Sequence, residues 1–114
     1  MGFPTKHPSE RLYAGTDWTT APLAAGETIV SATVTVGVIR GTDANPSAIV
    51  SGAAVVNSIA VTVTENGIER IVAIGKLVSQ FIIDGVRGVV YETRWVVLTS
   101  LGRTLERRVE LVVE

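Results

Sequence analysis

Residues 88–113, GVVYETRWVVLTSLGRTLERRVELVV, divide into two alternating runs around one turn. Val89, Tyr91, Thr93, Trp95 and Val97 fall on one face of the first run, and Glu92, Arg94, Val96 and Leu98 fall with Val90 on the other. Successive side chains on a strand point to opposite sides. The face carrying Glu92 and Arg94 needs water, so the Tyr91–Trp95 face is expected to look inward. Ser100, Leu101, Gly102 and Arg103 form the turn, with Gly102 suited to positive φ. On the second run Val109, Leu111 and Val113 make a core face, while Glu106, Arg108 and Glu110 make a wet one. Glu92 and Arg94 are expected to pair across the strands with Arg108 and Glu106, each pair contributing about 0.2–1 kcal/mol.

The same period continues upstream. In ETIVSATVTV (residues 27–36), Val30, Ala32, Val34 and Val36 are expected to point to the core. Residues 10–19 carry Leu12, Tyr13 and Trp18 and read as a short first strand or edge segment, with a loop over 21–26. Residues 40–48 hold Gly41, Asp43, Asn45 and Pro46, which is turn chemistry. Short apolar runs at 48–50 and 53–56 are broken by Gly52. SIAVTVTENGIERIVAI then predicts a hairpin about Asn66-Gly67, the dipeptide suited to a turn with two positive φ values. Residues 76–84 fit a strand or a short helix; Ile82-Ile83 favours strand, and strand is expected. Asp84-Gly85 is a further turn signal. Seven to nine strands and no long helix predict an all-β fold, an immunoglobulin-like antiparallel β-sandwich over residues 10–114. Pro4 and Pro8 make residues 1–9 an extended N-terminal arm.

The bulk numbers bound the function. The 114 residues suffice for one core. There are no cysteines, so disulfide frameworks, thiolate metal sites and cysteine nucleophiles are excluded. Ten basic and 11 acidic residues give a net charge of −1, with no field to attract nucleic acid. Charged residues are 18 % and hydrophobic ones 46 %, against about 25 % charged in ordinary domains. So apolar a surface predicts assembly against partners. MGFPTKHPSE has no apolar h-region and is not expected to be a signal peptide, and no apolar run approaches the ~18 residues of a membrane span.

Chemistry is sparse. His7 is the single histidine, so neither a metal site nor a Ser-His-Asp arrangement is expected there. The carboxylates are scattered and read as solvated faces. The Asp43–Asn45 loop lacks the EF-hand ligand pattern. Arg103, Arg107 and Arg108 cluster, but Glu106 and Glu110 dilute them and no aromatic ladder accompanies them. No catalytic residue, cofactor or metal is expected. Trp95 reads as core. Trp18 either plugs the end of the sandwich or anchors a partner, the core reading being favoured. Tyr91 sits where sandwich domains place a tyrosine whose hydroxyl bonds the preceding corner.

Three pieces carry a resemblance: FPTKHPSERLYAGTDWT with Lys6, Pro8, Glu10, Leu12, Tyr13, Asp17 and Trp18; GETI at Gly26–Ile29; and the ending with Tyr91, Gly102, Arg103, Thr104, Glu106 and Arg107. Together they resemble small tailed-bacteriophage virion proteins of the fibre–tail adaptor type. The resemblance covers about half of the chain and departs in residues 37–80, which look longer than the family pattern. It implies a non-enzymatic structural protein of the virion, made in the host cytoplasm. Its implied partners are tail, neck or fibre proteins and copies of itself in a symmetric ring, without nucleic acid or membrane. Docking would use an exposed strand edge and the N-terminal arm. Phe3, Pro4, His7, Pro8 and Trp18 are the candidate partner contacts. The rival readings are a capsid decoration protein, a carbohydrate-binding sandwich module, which needs a row of exposed aromatics, and a small hydrolase, which needs a concave pocket holding a perturbed carboxylate.

Overall fold

The computed structural model describes residues 5–19 and 23–114. The strands are β1 (Thr5–Lys6), β2 (Leu12–Asp17), β3 (Ile29–Arg40), β4 (Val50–Val56), β5 (Val61–Glu65), β6 (Ile68–Val72), β7 (Leu77–Ile82), β8 (Val90–Thr99) and β9 (Thr104–Val113), with one 3-10 turn at Pro46–Ile49 before β4. A four-stranded sheet has the order β1-β9-β8-β3, a three-stranded sheet the order β2-β7-β4, and β5-β6 stands as a separate hairpin. The chain is all-β, and residues 76–84 form the expected strand, β7.

The two larger sheets share one apolar core. Ala14 on β2 and Val78 and Ile82 on β7 meet Ile29, Val34, Tyr91, Trp95, Val97, Leu111 and Val113 from the other sheet. The closing hairpin alternates as its sequence predicts: Tyr91, Thr93, Trp95 and Val97 are buried, and so are Leu111 and Val113. Each tryptophan carries its own hydrogen-bond partner two residues back on the same face. Trp18 Nε1 donates to Thr16 Oγ1 at 2.9 Å, and Trp95 Nε1 donates to Thr93 Oγ1 at 2.9 Å. A Thr-x-Trp step therefore buries a large indole without leaving its N–H unpaired. On the wet face the register sets Glu92 opposite Glu110 and Arg94 opposite Arg108. The ion pairs run diagonally instead, Arg94 to Glu106 and Arg108 to Glu92 at 3.2 Å.

The β3 pattern departs from its sequence reading at one point. Val30 is exposed and Ile29 buried, although Val34 is buried as expected. The register slips between Ile29 and Ser31, and one extra residue in a strand moves every side chain beyond it to the opposite face. A second irregularity lies in β4 between Ser51 and Val55, where Gly52 takes φ 73°. Buried Gln80 serves the backbone exposed there, its amide donating to Ser51 O at 3.0 Å and Gly52 O at 3.2 Å.

Not every strand pair is antiparallel. Thr5 and Lys6 run parallel to Val112 and Val113, so the described part of the N-terminal segment is an edge of the larger sheet. Lys6 is 1 % exposed. Its ammonium donates to His7 O at 2.8 Å, to Pro8 O at 3.3 Å and to Asp84 O. Burial lowers its pKa, with Asp84 and Glu10 acting in the opposite direction.

Candidate functional site

The hairpin β5-β6 is the element that stands apart. Asn66 and Gly67 take φ 52° and 76° at its tip, as the sequence predicts. Val61 lies opposite Val72 and Thr62 opposite Ile71. Val63, Val72 and Leu77 are buried together, with Val61 packed on them. This small cluster is separate from the main core, and it leaves Ile59, Ile68, Ile71 and Ile74 between 57 % and 74 % exposed.

Polar contacts at its base fix this hairpin to the body. The Asn57 amide donates to Ile59 O and Ala73 O, each at 2.9 Å, and its oxygen accepts from Lys76 N at 3.1 Å and Leu77 N at 2.9 Å. One side chain thus joins both legs of the hairpin to the start of β7. Gly75 takes φ 75°, and a Cβ there would lie 2.8 Å from Thr28 Cβ. Its carbonyl accepts from Ile29 N at 2.7 Å, so only glycine lets the base of the hairpin sit this close to β3. Arg70 on β6 reaches Asp17 at the end of β2, at 3.2 Å. The exposed isoleucines are therefore carried on a held element.

The sequence-derived contact residues are differently placed. Phe3 and Pro4 lie outside the described residues, as do positions 21 and 22 of the 21–26 loop. His7 is exposed, with Nδ1 3.3 Å from Glu114 O, and Pro8 is half-buried. His7 N donates to Glu10 Oε1 at 2.7 Å and Glu10 N donates to His7 O at 3.1 Å, a reciprocal turn that folds this stretch against the domain. Trp18 is 0 % exposed. The Arg107 guanidinium lies 4.3 Å from its ring centroid and donates to Asp17 O at 2.8 Å. The core reading of Trp18 is thus the one realised, and its ring is no free contact surface. Burial of an indole over both faces requires knowing that Arg107 crosses from β9, which local sequence does not reveal. Among the described residues the exposed aromatic is Tyr13, tilted 48° against Phe81 with centroids 4.8 Å apart on the β2-β7 pair.

Two buried polar nodes set the loops. Glu27 is fully buried; it accepts from Ala24 N at 2.9 Å, from Thr99 Oγ1, and from both Nε (2.9 Å) and Nη2 of Arg103. The Arg103 pairing, with the Thr99 and Ala24 donors, overcomes burial and holds its carboxyl down at about 2. This fork ties the entry of β3 to the β8-β9 turn. At the opposite end, Tyr91 donates its hydroxyl to Asp43 Oδ2 at 2.7 Å and accepts from Val86 N at 2.9 Å. That bond, with one from Asn45 N, lowers the Asp43 pKa, while burial raises that of Tyr91. Both nodes join one loop to another and are saturated with partners.

The family described as podophage GP4 fiber-tail adaptor protein gp77 matches residues 6–112. No curated protein and no solved structure matches the chain.

Proposed function

The chain belongs to the podophage fibre–tail adaptor family, and from that premise we propose that it is a non-enzymatic adaptor that joins fibres or neighbouring tail proteins at the tail or neck of the virion. The observation that carries the reading is the pinned β5-β6 hairpin with its exposed isoleucines. Apolar side chains held on a fixed element lose little conformational freedom on docking, so their burial goes into affinity. The hairpin supplies the apolar anchors, an open sheet edge supplies backbone pairing, and His7 and Pro8 lie at the emergence of the N-terminal segment. Partners are other virion proteins and further copies of the chain.

The strand order supports an immunoglobulin-like version of the sandwich. Four strands face three, and Tyr91 bonds the backbone N–H of Val86, five residues upstream at a corner. In that frame β5-β6 is an addition inserted between β4 and β7, which are neighbours in the three-stranded sheet.

A map of the assembled particle by electron cryomicroscopy tests the reading. The expected result is density for this chain at the tail or neck, with β5-β6 against a neighbour. Density spread over the capsid shell would make the chain a decoration protein and overturn the adaptor reading.

A further inference from the structure

We infer that the free protein pairs with a second copy of itself, edge to edge along β9, in antiparallel register about a two-fold axis at Arg107. Thr99 N donates to Arg103 O and Val113 N donates to Val89 O, so the odd-numbered residues of β9 face β8. The even-numbered ones turn their N–H and C=O outward, and Glu114 N, which donates to Lys6 O, follows the same parity. Among the described residues only β1 meets this outer edge, and it reaches no further than Val112 and Val113. Among the described residues nothing pairs with the outward backbone groups of Thr104, Glu106, Arg108 and Glu110.

This open stretch is centred on residue 107, and its charge pattern is self-complementary about the same point. Antiparallel pairing there sets Thr104 opposite the second copy's Glu110, and Glu106 opposite the second copy's Arg108. By symmetry each contact occurs twice. Opposite charges directly across a strand pair are favourable and like charges unfavourable. Moving the centre by one residue, to 108, opposes Arg108 to Arg108 and Glu106 to Glu110; only the first arrangement uses the whole open edge with charges matched. Arg107 meets its copy at the axis, but its guanidinium is drawn over its own Trp18 and held by Asp17 O. The other edge strands lack such a pattern. β4 has no charged residue, β2 has Asp17 alone, β3 has Arg40 alone and β5 has Glu65 alone. On β6 Glu69 and Arg70 are adjacent, so their backbone groups point to opposite edges and no two-fold register sets one against the other. An exposed, unpaired edge is a template for another strand, and here the side chains select a second β9.

The inference goes beyond the adaptor reading, because it concerns the protein free in solution and uses a surface distinct from β5-β6. Two complementary variants test it. Glu106→Arg opposes two arginines, and Arg108→Glu opposes two glutamates. Each alone is expected to weaken self-association on the order of tenfold or more, from the sum of the two symmetric contacts. An equimolar mixture of the two restores opposite charges at both contacts, so light scattering should again find twice the 12.0 kDa chain mass. Hydrogen exchange on the unaltered protein gives an answer independent of how the variants fold: the Glu106 and Arg108 amides should slow as concentration rises. A wild-type protein at single-chain mass throughout, a mixture that fails to pair, association unmoved by either substitution, or exchange unchanged with concentration would each overturn the inference. None of these results bears on where the chain sits in the particle.

Discussion

The chain contains two hairpins built from similar β-branched residues and put to opposite use. In β8-β9 one face enters the main core, with Tyr91, Trp95 and Val97 fully buried, and the other carries a diagonal lattice of Arg94, Glu106, Arg108 and Glu92. Among the described residues of β5-β6, Val63 and Val72 are buried, against Leu77, and Ile68 and Ile71 are exposed. The difference lies in where the large apolar side chains are left. Charges on the second face of β8-β9 mark that face as solvent. In β5-β6 the second face carries Thr62, Thr64, Glu69 and Ile71, and Ile68 shares the first face with Val72. Exposed isoleucines on both faces therefore leave apolar area uncovered, which favours a partner there.

The largest effect expected on stability comes from the closing hairpin. Trp95→Ala should cost about 3–5 kcal/mol, because the side chain is wholly buried and the cavity cannot refill; urea unfolding checks this. Asn57→Ala should act on the other hairpin. It leaves the carbonyls of Ile59 and Ala73 and the N–H groups of Lys76 and Leu77 without that partner, at about 1–3 kcal/mol. Hydrogen exchange should then quicken in β5-β6 while β8-β9 stays protected. Equal quickening in both would mean that the two hairpins unfold as one unit. Ile71→Ser should shift stability by no more than about 0.5 kcal/mol, as for other exposed positions, and a larger loss in the same unfolding assay would place Ile71 in the fold rather than in a contact.

A pH titration sharpens the role of the β8-β9 turn. The Glu27 carboxyl falls from an ordinary 4.5 to about 2 in the folded chain. A lowered acid contributes stability that is fully present above its unfolded value and is lost as pH falls from there through about 2. Glu27→Gln should therefore flatten the stability profile between pH 4.5 and about 2. An unchanged acid profile would show that the Arg103 fork does not drive the acid dependence.

Much of the fold was legible in the sequence because one wet face per strand carried charges or threonines. β8, β9, the Asn66-Gly67 turn and the strand over 77–82 all follow from period and turn chemistry. Val30 did not follow, since a bulge leaves no mark in a run of alternating β-branched residues. The β1-β9 pairing was equally hidden: Pro4 and Pro8 suggest an extended arm, whereas the Lys6 ammonium bonded to three carbonyls is a long-range arrangement. The docking element was only half legible. The hairpin itself was foreseen, but its exposure depends on where Leu77 and Asn57 place it, and those contacts come from outside its own sequence.

The most direct test of the account is binding of purified protein to tail particles that lack it, comparing wild type with Ile68→Ser/Ile71→Ser. The double variant is expected to keep its fold, shown by an unchanged unfolding midpoint, and to lose binding at least about tenfold, as removal of aliphatic anchors that become buried on docking implies. Equal binding by the two proteins would contradict it and move the docking surface away from β5-β6.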